Sequence, residues 1–160
     1  MASFHAVIIG GGGTGAAVAH DLTMRGYKVT LVERGEVTSG TTGRHHGLLH
    51  SGARYAVKDK ESAVECIEEN MILRRIAPGS FELNDGLFIA LTEEEAAYSH
   101  EFIEACHECG IPARRLTGKE VLAREPNVNP KVIMGVQVPD ATMDAMRMPL
   151  RFFATAKHSG

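Results

Sequence analysis

The sequence predicts an α/β fold whose first third is a strand–helix–strand unit, and three observations carry that prediction. An apolar run, Ala6-Val7-Ile8-Ile9, leads straight into four consecutive glycines. Gly10, Gly12 and Gly15 then stand at G-x-G-x-x-G spacing and open a helical pattern. A second apolar run, Tyr27 to Val32, closes on an acid, Glu33, at about the 20-residue offset that a nucleotide-binding strand–helix–strand unit requires.

Each glycine has a physical task. Gly10 allows the tight turn out of the first strand. Gly12 lacks a side chain, so a pyrophosphate can approach the backbone. Gly15 lets the helix pack closely on the strand. The helix N-terminus offers free N–H groups and partial positive charge to phosphate oxygens. The helix itself is expected over Thr14 to Arg25, with Ala16, Val18, Ala19 and Leu22 as its apolar residues and Gly26 as its stop. The Glu33 carboxylate suits the hydroxyls of an adenosine ribose and repels a 2′-phosphate, which disfavours NADP.

Length and composition set bounds. A chain of 160 residues is one domain by the usual prior. Hydrophobic content of 44% is ordinary for a globular chain. A net charge of −3 gives no general attraction to nucleic acid. No apolar run approaches the ~18 residues of a membrane span. The start, MASFHAVIIG, lacks the basic region and cleavage site of a secretory signal, and three cysteines without such a signal point to a reducing compartment.

The remaining elements follow in order. Arg34 to Lys58 is a long, glycine-punctuated polar stretch, of a length that is usually functional. It holds the hydroxyls of Thr38, Ser39, Thr41, Thr42 and Ser51, the bases Arg44 and Arg54, and His45, His46 and His50. Following a nucleotide-binding strand, that mixture suits a loop laid along a cofactor. Asp59 is the expected N-cap of a helix from Lys60 to Ile76, with Val64, Ile67 and Met71 on one face and Pro78-Gly79 as its end. Phe81 to Leu91 reads as two short strands joined in a hairpin through Asn84-Asp85-Gly86. Thr92 with Glu95, and Thr117 with Glu120, have capping-box spacing; the first starts a helix that runs to about Cys109 and stops at Gly110, and the second a short helix before Pro126. Val132 to Val138 reads as a strand. A last helix within Asp144 to His158 starts near Met148, because Pro149 cannot sit deep in a helix.

Three constellations invite sharper readings. Cys106 and Cys109 form a C-x-x-C, but Tyr98, Phe102, Cys106 and Cys109 share a helical stripe, which favours packing over redox or metal chemistry. The three histidines lack accompanying acids or cysteines at ligand spacing, so no metal is expected; their place in the loop favours facing a cofactor or substrate. Arg54-Tyr55 is either an ordinary surface pair or, in the case of the arginine, a bidentate clamp for an anionic substrate.

At Thr42 to Tyr55, TGRHHGLLHSGARY, the chain resembles the FAD-dependent glycerol-3-phosphate dehydrogenases, most closely the large subunit of the anaerobic type, within the wider D-amino-acid-oxidase-like flavoproteins. The likeness continues through Glu61–Asn70, Asn84–Leu91, Glu125–Pro130 and Val138–Asp144, nearly the whole chain. The resemblance implies FAD held by Gly10, Gly12, Gly13, Thr14, Gly15, Glu33 and Arg34, with Thr41, Thr42, Arg44, His46, Gly47 and Leu48 beside the flavin. It implies a substrate pocket lined by His50, Arg54 and Tyr55, with Arg54 on the phosphate. The family pattern has two departures here, His45 in place of a frequent Asn and the late Pro149.

The expected fold is therefore α/β: the N-terminal part of a Rossmann-like FAD-binding domain, with a βαβ start, a long cofactor loop, the beginning of the substrate domain, and an incomplete sheet. Residues 1–58 form the nucleotide-binding unit and flavin loop, and residues 59–160 lead into the substrate region. Family members run to several hundred residues, so the chain reads as the N-terminal portion of such a protein. The intact protein is expected to oxidise sn-glycerol 3-phosphate to dihydroxyacetone phosphate. Electrons would pass to a second flavin subunit, then to an iron–sulfur membrane-anchor subunit, and on to quinone. Localisation would be cytoplasmic, at the inner face of the membrane through those partners. The alternatives are a related flavin oxidase of an amino acid or 2-hydroxy acid, a non-catalytic incomplete FAD-binding portion, and an NAD-binding module.

Overall fold

A computed structural model describes residues 4–159; the first three residues and Gly160 lie outside the described residues. In chain order the elements are β1 (His5–Ile9), α1 (Gly13–Met24), β2 (Lys28–Val32), β3 (Leu48–Leu49), α2 (Lys60–Ile76), β4 (Phe81–Glu82), β5 (Gly86–Ala90), α3 (Glu93–Glu108), β6 (Arg114–Thr117), α4 (Gly118–Arg124), β7 (Met134–Val138), β8 (Ala141–Met143) and α5 (Arg147–Ser159). They fall into two compact units. One holds the chain up to Leu48, Gly79–Phe81 and the chain from Met143; the other holds Leu49–Pro78 and Glu82–Thr142.

In the first unit β1 and β2 pair in parallel, His5 opposite Lys28 and Ile9 opposite Val32, with α1 as the crossover. This is the expected βαβ start. Ala16 and Ala19 are buried on α1, and the His20 ring lies 4.9 Å from Phe152 of α5. Gly26 ends α1 at φ +82, with Gly26 N–H donating to Thr23 O and Tyr27 N–H to Leu22 O, which satisfies the last helical carbonyls. The parallel pair is incomplete as a sheet: Val7 is 64% exposed and Ile9 is 89% exposed. Pro149 occupies the third position of α5, where its missing N–H costs nothing, so the helix begins at Arg147, one residue before the expected start. The Asp144 carboxylate accepts from Met146 N–H and Arg147 N–H at that start.

In the second unit β7 is the centre of an antiparallel sheet, with β5 on one side (Gly86 opposite Val138) and β6 on the other (Arg114 opposite Gln137). Its core gathers Ile67 of α2, Phe102, Ala105 and Cys106 of α3, Ile111, and Met134, Val136 and Val138 of β7. The Phe88 and Phe102 rings lie 4.8 Å apart. A smaller cluster joins Leu116, Val121 and Val132. Both capping boxes form, Thr92 with Glu95 and Thr117 with Glu120, and Asp59 caps α2 by accepting from Ser62 N–H. Gly110 takes φ +76 after α3.

Three expectations are corrected here. Phe81–Leu91 is no hairpin: β5 pairs with β7, and β4 belongs to a different sheet. Only Asp85 has positive φ; Gly86 is already the first residue of β5, so the two-residue turn that the dipeptide suggests does not form. The buried face of α2 is Ala63, Ile67 and Asn70, not the one through Met71, which is 57% exposed. Tyr98 is exposed, so the α3 stripe reaches the core only through Phe102, Cys106 and Cys109. Strands β3, β6 and β8 went unforeseen, each being too short to show a periodic pattern.

Candidate functional site

The glycine turn between β1 and α1 is built as its spacing requires. Gly10 has φ +111, the region that favours glycine, and a Cβ there would meet nothing within 4 Å. A Cβ on Gly15 would stand 2.0 Å from the Gly10 carbonyl oxygen, so only glycine lets α1 start this close to β1. Gly12 caps α1 without a side-chain hydrogen bond, and no acid lies in the first turn to compete for its N–H groups.

Two of the turn's N–H groups already hold oxygen acceptors from the protein. Gly11 N–H donates to Glu33 Oε2 at 2.6 Å, and Gly13 N–H donates to Thr42 Oγ1 at 2.9 Å. The other carboxylate oxygen, Glu33 Oε1, accepts from Gly35 N–H at 2.9 Å. The bond from Gly11, then that from Gly35, hold the exposed Glu33 carboxyl below the usual carboxylate range. Thr38 is buried at φ +64, and its N–H donates to Gly11 O at 3.2 Å. The turn thus aims donors at acceptor oxygens beside a helix N-terminus, next to a carboxylate that accepts. That donor set fits the pyrophosphate and ribose of a dinucleotide such as FAD.

The remaining flavin-loop residues of the first unit follow Thr42. Thr41–Arg44 forms one turn of 3-10 helix, with Arg44 exposed at its end. A Cβ on Gly43 would lie 2.5 Å from Thr38 O, so this turn also demands glycine. Gly47 takes φ +73; its N–H donates to His45 Nδ1, and Leu48 N–H donates to His46 Nδ1. The histidines thereby shape the loop's own backbone. Thr14 and Arg34 are exposed. Thirteen expected cofactor residues, Gly10 through Leu48, lie in this unit, and His50, Arg54 and Tyr55 lie in the other.

In the second unit the segment after Leu49 is held tightly. Gly52 has φ +86, and a Cβ there would stand 2.6 Å from Ala63 O and 2.8 Å from Cys66 Cβ, so glycine permits the close approach to α2. A 3-10 turn, Ala53–Tyr55, follows. The His50 and Tyr55 rings lie 6.0 Å apart, and the Arg54 guanidinium carbon sits 5.2 Å from the centre of the Tyr55 ring. Arg54 and Lys58 line a cavity of about 620 Å³ with Phe88, Tyr98 and Phe102. His50, Arg54 and Tyr55 are therefore neighbours.

Cys106 and Cys109 are buried, and burial pushes the Cys106 thiol up to about 11. Cys109 makes long Sγ contacts to the carbonyls of Ala56 and Lys60. No group of three or more potential metal ligands occurs among the described residues, and no helix among them is long and apolar enough to cross a membrane.

Sequence reasoning missed Gly11, Gly35 and Thr38 around Glu33, and Asn70, Arg74 and Asp140 behind Ser51. Gly11 occupies a variable position of the glycine motif. Gly35 N–H bonds Glu33 only two residues back, in a stretch with no motif of its own, and the others carry no local pattern because their partners are remote in sequence.

Comparison with known proteins agrees with this geometry. The family model described as FAD dependent oxidoreductase matches residues 5–160. The chain is 51% identical over 154 residues to one subunit of the anaerobic glycerol-3-phosphate dehydrogenase of Escherichia coli K12, covering 96% of this chain and 28% of that protein. It is 49% identical over the same length to the corresponding subunit of that enzyme from Haloferax volcanii, covering 26% of it. The chain thus spans little more than a quarter of the length of these relatives. Among solved structures, L-alpha-glycerophosphate oxidase from Mycoplasma pneumoniae with FAD bound superposes with a TM-score of 0.75 at 21% identity, covering 99% of this chain and 44% of the other; that likeness concerns the fold. The chain belongs to the FAD-dependent oxidoreductase family, and FAD is the family's cofactor.

Proposed function

From that membership, we propose that the protein takes part in the oxidation of sn-glycerol 3-phosphate to dihydroxyacetone phosphate, with residues 1–58 providing the FAD-binding unit and flavin loop. The observation that carries this reading is the 51% identity, spread over 96% of the chain, to part of a glycerol-3-phosphate dehydrogenase. FAD, when bound, supplies the acceptor for the hydride that leaves C2 of the substrate. The chain's own residues bind and orient. Gly11 and Gly13 would offer N–H donors to the pyrophosphate, and Glu33 would offer its carboxylate to the ribose hydroxyls. Gly10, Gly12, Thr14, Gly15 and Arg34 complete the adenine-nucleotide end. Thr41, Thr42, Arg44, His46, Gly47 and Leu48 would hold the flavin end. His50 and Tyr55 line the substrate pocket, and Arg54, which shares its cavity with Lys58, takes the phosphate.

The relatives are named as single subunits of their enzymes, which supports further subunits that carry electrons onward. In this reading these are a second flavin subunit with an iron–sulfur membrane anchor, leading to quinone. The protein would then work on the cytoplasmic side of the membrane through those partners.

Calorimetric titration of the chain with glycerol 3-phosphate, glycerol and glycine tests the substrate class. Binding of glycerol 3-phosphate at least tenfold tighter than glycerol is expected. Glycine bound in preference to glycerol 3-phosphate would overturn the reading in favour of an amino-acid oxidase.

A further inference from the structure

In the second unit a buried polar arrangement forms where α2 meets the Pro139-Asp140 turn between β7 and β8. Asn70 is fully buried on α2. Its Nδ2 donates to Leu49 O and to Pro139 O, both at 3.2 Å. One helical turn on, Arg74 donates from Nη2 to Pro139 O at 2.6 Å and to Asp140 O at 3.2 Å. Asp140 in turn accepts from Ser51 N–H on Oδ1 at 2.6 Å, a bond that spans 89 residues of chain. A Cβ on Gly86 would meet Asp140 Oδ2 at 2.6 Å, so the β5 backbone walls the carboxylate in from the other side. On the far side of the turn, Asn84 donates to Thr142 Oγ1 and accepts from Thr142 N–H.

Burying an amide and part of a guanidinium on a helix face is costly unless each finds a partner. Here the donors find the carbonyls of Leu49, Pro139 and Asp140, while Asn70 Oδ1 and Arg74 Nε are buried without a hydrogen-bond partner among the described residues, and the Pro139-Asp140 turn carries the carboxylate gripping the backbone between His50 and Gly52. We propose that Asp140, clamped by Asn70 and Arg74, is the positioning residue for the His50–Tyr55 segment, setting where the Arg54 guanidinium and the Tyr55 ring stand. Gly52 and α2 fix one side of the segment, and Asp140 fixes the start of its turn. The inference rests on the reading of Arg54 and Tyr55 as substrate contacts only for its consequence in binding; the positioning itself is a property of the chain.

The experiment compares wild type with Asp140→Ala, Asp140→Asn and Val121→Ala, the last a core variant remote from the turn. Each is examined by amide hydrogen exchange and by glycerol 3-phosphate titration. Asp140→Ala is expected to speed exchange at Ser51 to Tyr55 by roughly tenfold to a hundredfold, the effect of losing one charge-assisted hydrogen bond, and to weaken glycerol 3-phosphate binding by a similar factor. Asp140→Asn keeps an Oδ1 acceptor and is expected to rescue both. Val121→Ala is expected to lower the unfolding midpoint without either local effect. Should Asp140→Ala fail to fold, Arg74→Ala, which loosens the turn but leaves the carboxylate, is expected to show the same pattern at smaller size. Unchanged exchange at Ser51 to Tyr55 would overturn the proposal, as would a binding loss of equal size in Val121→Ala. If wild type binds no glycerol 3-phosphate, the functional reading fails while the exchange data still decide the positioning role.

Discussion

The Glu33 carboxylate closes on the glycine turn, accepting from Gly11 N–H at 2.6 Å across 22 residues of sequence. With Gly35 N–H on its other oxygen, the carboxylate ties the end of β2 to the turn that precedes α1. The same acceptor geometry is what a ribose hydroxyl requires.

Replacing Glu33 with glutamine keeps an acceptor but removes the charge. FAD affinity is expected to fall by roughly tenfold, within the range for losing a charged hydrogen-bond partner. Titration of FAD followed by flavin fluorescence measures it, and an unchanged dissociation constant would contradict the ribose role.

The pH dependence has a definite sign. The N–H groups of Gly11 and Gly35 lower the Glu33 pKa in the folded chain. Its contribution is therefore present at neutral pH and is lost as pH falls through that depressed value. Side-chain carboxyl NMR is expected to place the Glu33 midpoint below that of an ordinary glutamate. Glu33 is exposed, so the accompanying change in stability is small. A midpoint at or above the ordinary value would contradict the bond to Gly11.

Gly15→Ala tests the close start of α1. The added Cβ would stand 2.0 Å from a backbone oxygen, which no rotamer change can relieve. The loss in stability is expected at or beyond the upper end of the about 1–3 kcal/mol typical of overpacking, read from denaturant unfolding. Gly26→Ala serves as comparison: it meets no atom within 4 Å but is strained by its positive φ, and it should cost about 1 kcal/mol. Equal costs would contradict the steric account.

The cysteine pair should be inert. With the Cys106 thiol raised to about 11 by burial, its reaction with a disulfide reagent at pH 8 is expected to run slower than that of a free thiol by roughly a hundredfold or more, and to accelerate on unfolding. Rapid labelling of Cys106 and Cys109 in the folded chain would contradict packing as their role.

Most of this architecture was legible because its signals are local. Glycine spacing, the Asp59 cap and the two capping boxes each fix an element through contacts within a few residues, and each element formed where expected. The hairpin through Asn84-Asp85-Gly86 misled for the converse reason. A local turn signal was outweighed by pairing of β5 with β7, about 50 residues away, in a three-stranded sheet whose central strand β7 is buried, an arrangement more stable than a two-stranded ribbon. Asn70 was illegible on a helix read by apolar periodicity, since a buried amide looks like a surface residue until its carbonyl partners at Leu49 and Pro139 are known. The candidate site divides likewise. The glycine turn announced itself, whereas the roles of Arg54 and Tyr55 rested on resemblance, and the geometry adds only their mutual contact and the cavity that Arg54 shares with Lys58.

Arg54→Lys is a further test of the phosphate assignment. Lysine keeps the charge but loses the bidentate fork, so binding of glycerol 3-phosphate is expected to weaken roughly tenfold while glycerol is unaffected. Equal changes for the two ligands, measured by calorimetry, would remove Arg54 from the phosphate.

The measurement that bears most directly on the central claim is the visible absorbance of the purified chain after incubation with FAD and gel filtration, beside that of Gly12→Val. A Cβ at Gly12 would already stand 3.0 Å from Thr42 Oγ1, and the valine methyls would cover the Gly13 N–H. The account predicts a flavin band that travels with the wild-type chain and is absent from the variant. A flavin band retained equally by both, or by neither, would contradict the glycine turn as the cofactor's seat in this chain.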